Sequence, residues 1–495
     1  MLTSLRISTT SLTEGKFLYK YLFLLGGPLL FVVIYYFNFF SVSPIVNTVA
    51  AITAWILLWW ITEAVPIAVT SLLPLILFPS LGVLDLNTTA LNYASPTIFL
   101  YMSGFIFALA MEKQKLHVRI ALYVLKLVGS SYDRIVLGFM ISTFFISMWV
   151  NNTATTLLML PIALSVLKLT EEDFILYNKP EEYRRFSVSI LLTIAACSNI
   201  GGMATIIGSP TNAVLIGFMK QVYHTDVTFI HWFLVGFPFA LLMLVACYFI
   251  FTKLLFRVNI QATPNTIQAL EDRIAQLGHM TYQEYAITVL FALTAIGWIF
   301  RVLIVELTGW EFLNDTYIGL AGALTLFLIP DTSSKTGFLF EWESMSKLSW
   351  GILFLLGGGV ALAKAFEESG LVKIIGESIL SSGIHQPFLL VILLISIILL
   401  LKSFIGNTAL ALLTLPMALG IASSAGIDPI KIGGPVIFAC SLAFMLPMAC
   451  APNAVVFTTG QVKVKDMVVS GLLLTVVGCS LLMLMSALNF FSLMI

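Results

Sequence analysis

Charged residues are scarce in this chain. Asp, Glu, Lys and Arg make up 10% of its 495 residues, whereas soluble domains carry about 25%. Hydrophobic residues make up 59%, so the composition excludes an ordinary soluble protein and indicates an integral membrane protein. Basic and acidic residues number 25 each, and this balance gives no reason to expect nucleic acid as a partner.

Motifs for catalysis and metal binding are also missing. The five cysteines lie in apolar runs without CxxC spacing, so we expect packed thiols rather than a disulfide framework or a zinc site. The five histidines have no ligand spacing, and HExxH, GxSxG and P-loop patterns are absent. We therefore expect a protein that is not an enzyme and has no organic cofactor.

Long apolar runs fill most of the chain. The first, from Tyr21 to Phe40, is close to the ~20 residues that span a bilayer, and no small-residue cleavage site follows it. We expect a retained first helix. Further runs cover 48–61, 64–80, 95–112, 135–167, 186–218, 229–252, 283–305, 316–330, 350–366, 386–422, 432–461 and 467–493. Two of them, 135–167 and 386–422, are too long for one crossing, and we predict that each forms a re-entrant helical hairpin.

The basic residues favour one orientation of these segments. If the N-terminus is cytoplasmic, each hairpin returns to its own side and every other run crosses once, 19 of the 25 basic residues lie on the inner side, as the positive-inside rule requires. The predicted fold is an all-α polytopic protein of the cell membrane with about eleven transmembrane helices, two hairpins and an outer C-terminus. The hairpins open to opposite sides, so the two halves are inverted repeats, a common arrangement in secondary transporters.

Two similar stretches lie inside the hairpin runs. Residues 152–161 read NTATTLLMLP and residues 407–416 read NTALALLTLP, which are identical at seven of ten positions. A polar Asn-Thr pair in hydrocarbon needs hydrogen-bond partners or a ligand. One such pair could simply join helices by hydrogen bonds, but its recurrence in two inverted copies favours a shared binding site.

An interrupted helix follows each hairpin. The stretches SNIGGMATIIGSPTN (198–212) and PMACAPN (447–453) both end in an Asn that is followed by Ala-Val. Gly201, Gly202, Gly208 and Pro210 do not fit a continuous helix, so we predict breaks at membrane depth. Helix N-termini and amides at such breaks suit a small anion, and freed carbonyl oxygens suit a hard cation such as Na+.

Two further features are less specific. Glu63 looks like a buried carboxylate between two apolar runs, with no counterpart in the second half, and we expect a structural or an ion-coupling role. The segment 113–130 places basic residues on one face of a helical period, which predicts a helix lying on the inner membrane surface.

Several motifs together resemble the divalent anion/sodium symporter family, whose members carry di- and tricarboxylates or sulfate. The motifs cover most of the chain: Trp60-Ile-Thr-Glu-Ala-Val-Pro66, Leu72-Leu-Pro74, Met148-Trp149, Gly208-Ser-Pro-Thr-Asn212, Phe444-Met-Leu-Pro447 and Pro452-Asn453. The resemblance implies a homodimer in which a transport domain, made of the hairpins and broken helices, moves against a fixed scaffold in an elevator fashion.

The resemblance also implies the site residues. Those expected to contact the substrate are Asn151, Asn152, Thr153, Ser209, Pro210, Gly406, Asn407, Thr408, Cys450 and Ala451. Those expected to hold Na+ are Ser147, Asn151, Asn152, Gly201, Gly202, Asn407 and Ala449. Family members usually have Ser-Asn-Thr at both tips, whereas this chain has Asn at 151 and Gly at 406, and it has Cys450 where a Thr is usual.

Lys402 is the largest departure from the family pattern. It lies five residues before Asn407, where the resemblance implies a hydroxyl residue of the second Na+ site. Its ammonium could replace that ion, making transport less dependent on Na+ or coupled to a proton. Alternatively the side chain reaches back to the outer interface.

We therefore expect a secondary active transporter. Its substrate would be a small divalent anion, first a C4-dicarboxylate such as succinate, malate or fumarate, moved by cation-coupled symport with alternating access. Alternatives are a Na+-independent exchanger, a sulfate transporter, and a membrane receptor or scaffold that does not transport. The expected divisions are a cytoplasmic N-terminus (1–21), scaffold and surface helices (22–130), transport domain (133–256), cytoplasmic linker (257–281), scaffold (282–381) and transport domain (385–495).

Overall fold

The computed structural model describes residues 9–38, 43–129, 131–258, 272, 275, 277–331, 337–371, 374, 386–402 and 405–495. Within these residues the regular secondary structure is helical, apart from one isolated antiparallel bridge between Pro330 and Phe338. Most of the predicted linker 257–281 lies outside the described residues.

Twelve helices form the first half of the described chain. They are α1 (Thr9–Phe37), α2 (Pro44–Thr62), α3 (Ile67–Thr70), α4 (Leu73–Ser80), α5 (Leu86–Leu91), α6 (Pro96–Lys113), α7 (Leu116–Val128), α8 (Tyr132–Ser147), α9 (Asn152–Leu176), α10 (Pro180–Ala204), α11 (Pro210–Tyr223) and α12 (Phe229–Tyr248). A π-helical segment, Phe249–Leu255, extends α12.

Nine helices form the described part of the second half. They are α13 (Tyr282–Ile299), α14 (Arg301–Thr308), α15 (Asp315–Thr325), α16 (Trp350–Ser369), α17 (Pro387–Lys402), α18 (Asn407–Ser424), α19 (Pro429–Ser441), α20 (Ala451–Phe457) and α21 (Val464–Ala487). Short 3-10 turns occur at Asn92–Ala94, Ile206–Gly208, Trp342–Lys347, Pro447–Ala449 and Phe490–Met494.

Length and composition identify the helices that can cross a membrane. Among the described residues eight are long and apolar enough, and a ninth span arises if α13 and α14, bent by 73°, count as one. This confirms an all-helical polytopic membrane protein. The number of crossings, the re-entrant path of the hairpins and the orientation of the termini stay predictions.

Both predicted helix breaks are present, and they share one backbone pattern. In the first, Thr205 and Ser209 are extended on either side of the turn Ile206–Gly208. In the second, Leu446 and Cys450 are extended on either side of Pro447–Ala449. The first break is narrower than predicted, because α10 continues through Gly201 and Gly202 to Ala204.

One asparagine closes each break in the same way. Asn212 Nδ2 donates to Gly202 O and Thr205 O, both at 2.8 Å. Asn453 Nδ2 donates to Ala443 O at 3.2 Å and Leu446 O at 3.0 Å. The acceptors lie ten and seven residues before the asparagine in both cases, so the hydrogen bonds repeat at a constant offset. The repeat seen in the sequence is therefore a repeat of local structure.

We expect Asn212→Ala to lower the free energy of unfolding by about 2 kcal/mol, because it removes two buried hydrogen bonds of about 1 kcal/mol each. Thermal unfolding of the purified protein in detergent measures this change. The exposed Gln461→Ala serves as the control and should leave the melting temperature unchanged. Equal melting temperatures for Asn212→Ala and the parent protein would contradict this role.

The centre of the molecule is formed by α10, which is buried from Phe186 to Ala204. It packs against α8, α9, α12 and α20. In the second half α19 takes the same place, against α17, α18 and α21. A helix that is apolar on all sides is expected in such a position, and here it holds each hairpin beside a break.

The surface-helix prediction for 113–130 is wrong for one basic residue. Arg119 of α7 is 5% exposed. Its Nε donates to Glu284 Oε1 at 2.8 Å, and its other nitrogens donate to the carbonyls of Leu277, Gly278 and His279. Arg119 is buried because these acceptors satisfy its guanidinium. It thereby joins α7 to the start of α13.

Candidate functional site

A cavity of about 630 Å³ lies between the tips of the two hairpins. All ten residues predicted to contact a substrate line it. Other lining residues come from outside the hairpins and breaks, namely Trp60, Ile61, Glu63, Ser349, Ile352 and Leu355. Ser147, Gly201, Gly202 and Ala449, predicted for a cation, do not line it and are buried.

Three helix N-termini meet at this cavity: α9 starts after Asn151, α11 after Ser209 and α18 after Gly406. Asn151 Oδ1 accepts from Ala154 N at 2.9 Å, so it caps its own helix, whereas Ser209 and Gly406 make no side-chain cap. First-turn N–H groups of α11 and α18 are thus available to a ligand, and the positive ends of three helix dipoles favour an anion.

Oxygen atoms cluster at the first hairpin tip. Asn152 Oδ1 lies 3.1 Å from Ser147 Oγ, 3.0 Å from Ser198 O and 3.2 Å from Gly208 O. Ser147 Oγ has one proton but two acceptors, since it also lies 2.6 Å from Ser198 O. With Asn152 Oδ1 toward these atoms the cluster has more acceptors than protons, and a hard cation such as Na+ would satisfy it. With Asn152 Nδ2 in that place, the amide instead donates to Ser198 O and Gly208 O. Ser198 and Gly208 were not predicted as cation residues, because backbone carbonyls leave no signal in a sequence.

Glycines let the main chain approach this cluster. A Cβ atom on Gly202 would overlap with Asn152 Oδ1, and one on Gly201 would overlap with Phe144 O. A Cβ on Gly208 would lie 2.7 Å from Gly202 O. The packing thus requires glycine at all three positions. Gly201 and Gly202 give the hairpin room, while Gly208 also supplies one of the oxygens.

Gly202→Ala should weaken Na+ binding at least about fivefold, because the added methyl group would displace Asn152 Oδ1 and overpacking of this kind costs about 1–3 kcal/mol. The measurement is a calorimetric titration of the purified protein with Na+. Gly104→Ala is the matched control, because its Cβ would meet Ile207 at an ordinary 3.5 Å. An unchanged Na+ curve for Gly202→Ala would contradict the assignment.

The second tip replaces this cluster with a charge. Lys402 lies 255 residues after Ser147, the same offset that relates Asn407 to Asn152. Its Nζ donates to Asn407 Oδ1, just as Ser147 Oγ contacts Asn152 Oδ1. Lys402 is 4% exposed, so the expectation that its side chain reaches the outer interface is wrong. Asn407 supplies a partner inside the protein.

The second break also has less space than the first. If the two breaks are aligned so that Asn453 corresponds to Asn212, then Ala443 corresponds to Gly202 and Ala449 corresponds to Gly208. Both carry a methyl group where the first half has none. The second half therefore combines less room at the break with an ammonium group at the tip.

Side chains of the two repeats also contact each other. Thr408 Oγ1 lies 3.4 Å from Thr211 Oγ1 of α11. On the other side, Asn199 Nδ2 donates to Cys450 Sγ at 3.1 Å. Asn199 was not predicted as a site residue, because no sequence signal relates a position in one repeat to a break in the other.

The prediction that Glu63 is buried is wrong. Helix α2 ends at Thr62, and Glu63 follows in the left-handed conformation at φ 48°. This turn exposes the side chain and places it at the cavity. Its carboxylate therefore adds a negative charge to a wall that lies outside the hairpins.

The site as a whole combines groups for an anion with groups for a cation. Helix N-termini and hydroxyls favour a small anion in the cavity, and Lys402 lies behind the second tip, where it donates to the lining residue Asn407. Directly behind it, the oxygen cluster at Asn152 favours a cation. Among the described residues no group of three or more His, Cys, Asp or Glu side chains could hold a metal ion, so the oxygen cluster is built from neutral groups.

Comparisons with known proteins agree with this arrangement. The family model described as the sodium:sulfate symporter transmembrane region matches residues 30–495. The chain is 36% identical over 450 residues to the sodium-dependent dicarboxylate transporter SdcS of Staphylococcus saprophyticus, covering 90% of this chain and 86% of that protein. It is 35% identical over 466 residues to SdcS of Staphylococcus aureus strain USA300, covering 93% and 89%.

A solved structure supports the fold alone. The crystal structure of the Alcanivorax borkumensis YdaH transporter, described as having an unusual topology, aligns with a TM-score of 0.56 at 12% identity, covering 80% of this chain and 87% of that one. The family match and the SdcS identities extend over nearly the whole chain. The chain therefore belongs to the sodium:sulfate symporter family, which confirms the resemblance to divalent anion/sodium symporters carried by its motifs.

Proposed function

We propose that this protein transports a small divalent anion, and first a C4-dicarboxylate such as succinate, malate or fumarate, by symport with Na+. The observation that carries the proposal is the cavity between the hairpin tips, where three helix N-termini favour an anion. Lys402, which does not line the cavity, adds a positive charge behind the second tip next to Asn407. The names of the SdcS relatives, sodium-dependent dicarboxylate transporters, point to the same substrate class.

Na+ would be a transported ion held at the first tip. Ser147 and Asn152 would supply side-chain oxygens, and Ser198 and Gly208 would supply carbonyls. Asn151 would contribute its Nδ2 to the substrate, because its Oδ1 already caps α9. Asn407 would hold the Lys402 ammonium in place of a second Na+.

Transport would follow from the repeat architecture. The hairpins and broken helices of 133–256 and 385–495 would form the moving domain, and 22–130 with 282–381 the scaffold of a homodimer. The cavity includes residues from both groups, Trp60 and Ile352 from the scaffold and Asn152 and Asn407 from the hairpins. An elevator movement would carry the hairpin tips past the scaffold residues and change the side of the membrane to which the cavity opens.

Uptake of radiolabelled succinate into proteoliposomes tests the proposal. We expect uptake that requires an inward Na+ gradient and that unlabelled malate or fumarate inhibits. Inhibition by sulfate alone would favour a sulfate transporter. Failure of succinate and sulfate uptake in every arrangement, with thermal stabilisation by either ligand, would favour a receptor and would sink the proposal.

Exchange is the second candidate, and Lys402 is the observation that favours it. A fixed ammonium neutralises part of the substrate charge without an ion from solution. Vesicles preloaded with succinate and assayed without Na+ separate the two mechanisms. Fast uptake only in preloaded vesicles indicates exchange, whereas Na+-driven uptake into empty vesicles indicates symport.

A further inference from the structure

A chain of hydrogen bonds joins the first tip to the second break. Asn152 Nδ2 donates to Asn199 Oδ1 at 3.2 Å. Asn199 Nδ2 then donates to Cys450 Sγ at 3.1 Å and to Ala443 O at 3.3 Å. Asn199 is 1% exposed, and both Asn199 and Cys450 line the cavity. The path therefore begins at the oxygen cluster and ends at the wall that would face a substrate.

The side-chain oxygen and nitrogen of Asn152 can exchange places, and each arrangement makes different contacts. With Oδ1 toward the cluster, that oxygen faces Ser198 O and Gly208 O, and a positive ion between them is needed to offset the repulsion. Turned by 180°, Nδ2 would donate to the same two carbonyls at 3.0 and 3.2 Å. The cluster is then satisfied without an ion.

Turning Asn152 changes what Asn199 can do. The Asn152 oxygen would then face Asn199 Oδ1 at 3.2 Å, so Asn199 must turn as well and donate toward Asn152. Its own oxygen would then lie toward Ala443 O and Cys450 Sγ. The wall loses the two hydrogen bonds that Asn199 donates, although Asn453 Nδ2 still donates to Ala443 O. The Cys450 thiol then keeps its contact with Ala443 O at 3.4 Å or donates to the Asn199 oxygen.

We infer that Asn199 couples cation binding to substrate binding: a cation at the first tip fixes the amide of Asn152, and Asn199 transmits that orientation to Cys450 and Ala443. This inference rests on the proposed function. Coupling between two sites requires an element with two states whose equilibrium both sites bias. Here that element is the pair of amides of Asn152 and Asn199, and the two sites are the cation cluster and the cavity.

No corresponding link is seen among the described residues of the second half. When Asn453 is aligned with Asn212, the position equivalent to Asn199 is Cys440. Its Sγ lies 3.5 Å from Thr414 Oγ1 of the same half. The asymmetry matches the tips. The half with the proposed cation site has a path to the cavity wall, whereas the other half has Lys402 in place of an ion.

The test measures succinate affinity of purified protein by calorimetry, without Na+ and at saturating Na+, with choline replacing Na+. For the parent protein we expect Na+ to tighten succinate binding about tenfold, within the usual range of about 5- to 150-fold. For Asn199→Ala and the space-filling Asn199→Leu we expect less than about a twofold effect. A role in packing alone would leave the coupling intact in the Leu variant.

Asn453→Ala is the matched control, because it removes the other amide donor to Ala443 O without touching Asn152. Its succinate affinity should fall at both Na+ concentrations while the ratio between them is kept. Na+ coupling that survives in Asn199→Leu overturns the inference and leaves the proposed function standing. A parent protein whose succinate binding does not respond to Na+ overturns both.

Discussion

Replacing Lys402 with threonine should make succinate uptake dependent on an additional Na+. In the parent protein the ammonium occupies the place at Asn407 that corresponds to Ser147 at Asn152. Threonine restores a hydroxyl there and removes the charge. A charge-assisted hydrogen bond contributes about 1.5–3 kcal/mol, or about 10- to 100-fold, so uptake at low Na+ should fall by that factor. High Na+ should recover it.

The measurement is the Na+ activation curve in proteoliposomes. We expect a steeper curve for Lys402→Thr, with a Hill coefficient above that of the parent protein, since cooperativity is limited by the number of sites. Lys402→Met keeps the length of the side chain but leaves neither charge nor ligand, so its uptake should stay low at all Na+ concentrations. Exposed Lys465→Thr is the control. A curve for Lys402→Thr identical to that of the parent protein would contradict ion replacement.

Some features of the site could be predicted from the sequence. The placement of the Asn-Thr pairs at one site and the two breaks could be predicted, because composition and internal similarity report directly on local structure. For Lys402 the sequence left two positions open, beside Asn407 or at the outer interface, and the structure places it beside Asn407. The cavity was predictable too, since inverted hairpins must bring their tips together. All ten predicted substrate residues line it, and their roles in binding stay predictions.

The contacts that give each residue its role were less predictable. Glu63 reached the cavity through one left-handed residue at a helix end, a conformation that a non-glycine residue rarely adopts. Arg119 was buried by a carboxylate 165 positions away. Asn199 met Cys450 across 251 positions. Each depends on tertiary packing between segments whose sequences carry no mutual signal.

Asn152→Ala should reduce succinate uptake at least about 100-fold, which corresponds to about 2.7 kcal/mol. The change removes the oxygen at the centre of the cation cluster and the donor to Asn199 together. It also leaves Asn199 Oδ1 without its amide partner. Uptake in proteoliposomes at saturating Na+ measures the loss, and Asn87→Ala, at an exposed position, should retain full uptake.

Asn152→Asp separates the two roles of this side chain. A carboxylate keeps an oxygen for the cation but has no hydrogen to donate to Asn199 Oδ1, because an ionised carboxylate only accepts. We therefore expect tighter Na+ binding, a lower half-activating Na+ concentration, and weaker succinate binding at saturating Na+. Calorimetric titrations of Na+ and of succinate read the two effects independently. If the Asp variant loses Na+ binding, the oxygen of Asn152 does not contact the cation, and the cluster at the first hairpin tip has to be assigned to hairpin packing instead.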